Sequence, residues 1–131
     1  MIGLSIVDLI DLSDGRIKTI AILYFTVGIL HGLLDPGISY LGIEVLGKGW
    51  EANPIMRASM QKGLAFFVLI HIPLYLGLFI AYLFTIFLVK REFRKGDKTV
   101  YYLTISGLMI LIGWGLWLNF RNILVLAIFA K

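Results

Sequence analysis

Long uncharged apolar runs alternate with short polar clusters along this chain. Residues 63–89 contain no Asp, Glu, Lys or Arg, neither do 99–120, and 19–34 form a third such run. A helix needs about 20 mainly apolar residues to cross the hydrocarbon core of a bilayer. The pattern therefore predicts an all-α polytopic membrane bundle in one integral membrane domain covering 1–131. It has three full spans, near 17–46, 63–89 and 99–119. The apolar segment 122–130 gives room for a partial fourth: it lies at the interface, extends the third helix, or packs on a partner.

Polar positions set the element boundaries. In residues 2–12, Ser5, Asp8 and Asp11 recur every third position, a narrow stripe that suits an interfacial segment over 1–14. These first charges are acidic, unlike the basic start of a secretory signal peptide. Ser13 or Asp14 is placed to cap the first helix. Pro36 lacks an amide, which leaves the Gly32 carbonyl without its helical partner. Either the span ends at Leu34, or a kinked helix continues to Leu46. The apolar run 36–46, broken only by Glu44, favours the kinked helix. Gly47, Lys48 and Gly49 then stop the element, and Trp50 suits an interfacial anchor. Asn53-Pro54 is a helix start, with Asn as cap and Pro at the first helical position. Pro73 frees the carbonyl of Leu69 inside the second span. Gly28 and Gly32 form a GxxxG pattern, which predicts close helix packing.

Composition removes several function classes. Hydrophobic residues make up 60% of the chain and the mean hydropathy is +0.92, against ~45–50% apolar usage in soluble domains. There is no cysteine, so disulfides, thiolate metal sites and thiol nucleophiles are absent. The net charge is +4, but residues 90–98, KREFRKGDK, hold five of the twelve Lys and Arg between two spans. Placed there, basic residues fit topology and anionic lipid rather than nucleic acid. The positive-inside rule puts loop 90–98 in the cytoplasm of a cell-membrane protein, and the N-terminus with Arg16 and Lys18 beside it. No nucleophile elbow or phosphate-binding glycine loop is present.

Candidate chemistry gathers at the opposite side. His31, Asp35, Glu51, Asn53 and His71 all fall in the outer half of the membrane under this topology. His31 and Asp35 are four apart, on one helix face. Ionisable groups within spans are costly and point by default to function. Each also has a local structural reading: Asp35 bonded to backbone broken by Pro36, the histidines bonded to freed carbonyls, Glu51 solvated in a loop, and Asn53 a cap. His31, Asp35 and His71, with Glu51 as a fourth group, also form a candidate ligand set for a divalent metal.

Three functions follow. The first is a membrane protein whose outer polar cluster binds or passes a cation, proton or small ligand. The second is a metal-dependent intramembrane hydrolase, in which a bound metal activates water. The third is an accessory subunit with structural polar groups. Whether the chain is an enzyme stays open. Its expected partners are the bilayer and either copies of itself or a larger membrane complex.

An intramembrane Asp followed by GKGWEANPIMR, with its Glu-x-Asn-Pro, resembles a group of small multi-pass membrane proteins of unknown function found in archaea and bacteria. The resemblance covers about residues 31–73 and implies Asp35, Glu51, Asn53 and Pro54 as the family-like positions. Two departures stand out. Pro36-Gly37 follows Asp35 where a Ser/Thr pair is expected, and His71 replaces a basic residue in the following helix.

Overall fold

The computed structural model describes residues 11–48, 51 and 53–128. Among them every regular element is helical, and three helices are long and apolar enough to cross a membrane. These are α1 (Gly15–Val45), α3 (Leu64–Arg94) and α4 (Thr99–Ile128). A short helix, α2 (Pro54–Gln61), lies between α1 and α3. The expected all-α bundle with three spans is what the chain forms. Ser5, Asp8, Gly49, Trp50 and residues 129–131 lie outside the described residues.

Helix α1 starts at Asp14, whose side chain accepts from the Arg16 amide and also pairs with the Arg16 guanidinium at 2.6 Å. The hydrogen bond from Arg16 holds the Asp14 carboxyl below the usual carboxylate range. Helix α1 continues past Pro36, but by a change of register. The turns over Gly28–Leu34 are π-helical, and the Asp35 amide donates to the Leu30 carbonyl five residues back. The missing Pro36 amide thus falls just after a π-helical stretch that carries the helix through. A second π turn over Leu41–Val45 ends at Gly47, whose φ of 64° suits glycine. The Lys48 amide closes this end on the Gly42 carbonyl at 2.7 Å.

Helix α3 is broken, not merely bent. Leu64–Leu69 and Ile72–Arg94 are separated by a turn at Ile70 and His71, just before Pro73. Helix α4 has no such break and absorbs residues 122–128 into one helix with the third span. At ~1.5 Å per residue, Thr99–Ile128 is about 45 Å long, more than the ~30 Å core needs, so it tilts or projects.

The buried apolar core lies toward the basic-loop end. Ile17, Ile20, Val27, Ile86, Val89 and Leu108 interlock there, with Tyr24 bonded to Thr85 across α1 and α3 at 2.8 Å. Arg16 stacks over Phe93, 4.2 Å from the ring centroid. Most other large apolar side chains on the three long helices face outward, where lipid is their natural solvent. The Gly28–Gly32 pair is used inside the chain. A Cβ on Gly32 would meet the Tyr75 hydroxyl at 2.8 Å and its ring at 2.9 Å, and one on Gly28 would meet Leu78 at 3.9 Å. The glycines thus admit side chains of α3 rather than another helix backbone.

Candidate functional site

At the other end, where α3 breaks, the helices part around a cavity of about 260 Å³. Its walls come from α1 (His31, Asp35, Pro36, Ser39), the segment leading into α2 (Glu51, Asn53), α2 itself (Met56, Met60) and α3 (Phe67, His71, Leu74). The five polar residues singled out in the sequence therefore line a single chamber, which holds two carboxylates and no Lys or Arg.

Each polar group is held by local backbone chemistry. The Glu51 carboxylate accepts the Asn53 amide at 2.8 Å, and the Arg57 guanidinium donates to the Glu51 carbonyl at 3.0 Å. Asn53 caps α2, accepting from the amides of Ile55 at 3.0 Å and Met56 at 3.4 Å. The Glu-x-Asn-Pro stretch is thus a helix start that also turns a carboxylate toward the chamber. Its Pro54 occupies the first helical position, where no amide partner is needed.

The two histidines are fixed by carbonyls. His71, only 7% exposed, donates from Nδ1 to the Phe67 carbonyl at 2.7 Å. Its own amide has moved to the Val68 carbonyl because the helix breaks here, so the ring takes over the bond the backbone gives up. The carbonyl it serves is that of Phe67, not the one at Leu69 that Pro73 frees. His31 donates from Nε2 to the Leu111 carbonyl on α4 at 2.9 Å. Gly115 makes this approach feasible, since a Cβ there would sit 2.8 Å from that nitrogen. A carbonyl can only accept, so each neutral imidazole carries its proton on the bonded nitrogen. The other nitrogen, Nδ1 of His31 and Nε2 of His71, keeps its lone pair.

Asp35 accepts from the Asn122 side chain of α4 at 2.7 Å through one oxygen. It is within charge-interaction range of His31, Glu51 and Arg121. Next to it, Asn119 donates to the carbonyls of Leu30 at 3.1 Å and Gly115 at 2.7 Å. The Asn119 Oδ1 is buried without a partner. Asn119 and Asn122 were not among the sequence candidates. Their signal was present: two amides three apart share one face of an otherwise apolar helix.

Among the described residues no three His, Asp or Glu side chains stand together as a ligand set, so His31, Asp35 and His71 do not form one. His31 and Asp35 reach the chamber from α1, His71 from α3 and Glu51 from the segment before α2. What the chamber offers is mainly acceptors, namely two imidazole lone pairs and the remaining lone pairs of two carboxylates, beside two uncharged groups that can also donate, the Ser39 hydroxyl and the Asn53 side-chain amide. Compared with protein-family models, curated proteins and solved structures, the chain matches none of them.

Proposed function

We propose that this is a multi-pass protein of the cell membrane whose chamber binds a small cation of the ammonium type, or the proton itself. The observation that carries this reading is the polarity of the chamber. Asp35 and Glu51 supply negative charge, and the described lining contains no Lys or Arg, with only the Ser39 hydroxyl and the Asn53 side-chain amide as uncharged donors. Arg121, in charge range of Asp35, and Arg57, on the Glu51 carbonyl, stand outside that lining. Charge-assisted bonds from N–H donors to carboxylates are about twice as strong as neutral ones. Phe67 and the two methionines give such a cation apolar and aromatic surface to rest on. Pockets for drug-sized ligands run from ~300 Å³ upward, so a guest here has few heavy atoms.

The topology that goes with this reading has loop 90–98 in the cytoplasm and the chamber near the outer surface. At ~1.5 Å per residue, Gly15 to Asp35 covers about 30 Å, roughly the depth of the hydrocarbon core. Two features that suggested self-association are used within the chain. Gly28 and Gly32 meet α3, and Leu126 in the C-terminal apolar segment presses on Gly42. The reading therefore assigns the chamber to a single chain in the bilayer.

The test is equilibrium dialysis of labelled methylammonium against purified protein in lipid nanodiscs. Saturable binding is expected, with affinity lowered about tenfold or more in Asp35→Asn, equivalent to ~1.4 kcal/mol. The Asn side chain keeps an oxygen for Asn122, so the loss would report charge rather than unfolding. Equal binding by wild type and Asp35→Asn refutes the reading.

A further inference from the structure

Beside the chamber lies an apolar cleft. A second, larger space of about 490 Å³ shares Pro36, Phe67 and His71 with it and lies between α1 and the short first part of α3. Its remaining walls are apolar: Leu41 and Val45 on one side, Leu64 and Val68 on the other, all four exposed at the lipid-facing surface. Tyr40 packs against Phe67, ring centroids 5.3 Å apart, and Phe67 against His71 at 4.8 Å. This aromatic row stands between a dry cleft open to lipid and a chamber of acceptors.

We propose that the guest is a single-chain amphiphile, a long-chain primary amine. Its ammonium head occupies the chamber, its tail lies in the cleft, and it enters sideways from the bilayer. The inference rests on the cation-binding reading and names the class of cation. Charge complementarity selects the head. A phosphate-bearing lipid would set its anion against Asp35 and Glu51, and the chamber's described lining has no Lys or Arg to receive it. The chamber's small volume excludes a bulky head. The two spaces adjoin across Pro36, Phe67 and His71, which line both, so a head in the chamber and a tail in the cleft can belong to one molecule that passes beside these residues. His71 is buried, shared by both spaces, and carries an unpartnered Nε2, which makes it the acceptor at the junction. The break in α3 is what opens the cleft: an unbroken helix would restore the Phe67 carbonyl's backbone bond and leave His71 no carbonyl to cap.

The experiment uses a dodecylammonium probe with a photoreactive diazirine on the tail, incorporated into nanodiscs containing the full chain. Labelled residues are mapped by peptide mass spectrometry. Labelling is expected at Leu41, Val45, Leu64 and Val68, and it falls about tenfold in Asp35→Asn and in Val68→Trp, which fills the cleft from its lipid side. Methylammonium binding should survive Val68→Trp, showing that the chamber is intact. Three outcomes overturn the proposal: labels spread over all lipid-facing surfaces, tail labelling unaffected by Asp35→Asn, or cleft labelling that persists in Val68→Trp. If methylammonium binds in an Asp35-dependent way while any of these holds, the small-cation reading stands and the amphiphile fails. If methylammonium binding is also insensitive to Asp35→Asn, both fall.

Discussion

At the scale of single residues, the proposed reading gives His71 a structural and a binding role in one side chain. Its Nδ1 replaces the backbone amide that the α3 break withdraws from the Phe67 carbonyl, while Nε2 remains for a guest. His71→Phe would keep the ring's packing on Phe67 but remove the donor. Leaving that buried carbonyl unpaired should cost about 1–3 kcal/mol, read as a lower midpoint in thermal unfolding of the detergent-solubilised protein. Wild-type stability in this variant would mean the bond holds nothing together. That His71 served a nearby carbonyl was legible in the sequence. Which carbonyl was not, because Pro73 alone does not say that the helix breaks two residues before it and reassigns the His71 amide to Val68.

At the scale of helices, α1 and α4 are joined by polar bonds where most membrane helices rely on packing alone. His31 to Leu111, Asn119 to Leu30, and Asn122 to Asp35 cross this interface in succession. Bonds of this kind between membrane helices contribute about 0.6 kcal/mol on average, so the close approach at Gly115 matters at least as much. Gly115→Ala places a Cβ 2.8 Å from His31 Nε2 and 3.0 Å from the Leu30 Cβ. Overpacking of this sort costs about 1–3 kcal/mol, and the shift should also disturb the His31 ring. Gly113→Ala is the control, since nothing lies within 4 Å of a Cβ there. Comparable unfolding midpoints for the two variants would show that the α1–α4 contact is looser than described. The spans themselves could be read from hydropathy, and the continuation of α1 beyond Pro36 from the apolar run 36–46. The π turns could not, because they depend on how α1 fits Tyr75, Leu126 and Gly115 on its neighbours. Asn119 and Asn122 escaped notice for a related reason: at the end of an apolar run, an Asn reads as the edge of a span until the helix is seen to continue to Ile128.

At the scale of the whole molecule, the buried apolar core and the polar chamber lie toward opposite ends. The basic end is closed by the interlocked apolar core, and at the opposite end α3 breaks beside the chamber while polar bonds tie α1 to α4. With no native cysteine, single substitutions report topology cleanly. A membrane-impermeant maleimide added to intact cells should label Lys62→Cys and spare Asp97→Cys until the membrane is opened. The reverse pattern would invert the molecule and place the chamber on the cytoplasmic side.

The chamber's acceptor character depends on the state of two imidazole rings, the only two in the chain. It can be read directly from their four nitrogen resonances by 15N NMR of the protein in nanodiscs, with and without methylammonium. The protonated nitrogens should be Nε2 of His31 and Nδ1 of His71, as the Leu111 and Phe67 carbonyls require. Methylammonium should shift the unprotonated Nε2 of His71, and Asp35→Asn should abolish the shift. A His71 ring protonated on Nε2, or ring resonances indifferent to methylammonium, would contradict a chamber lined by acceptors for a cation.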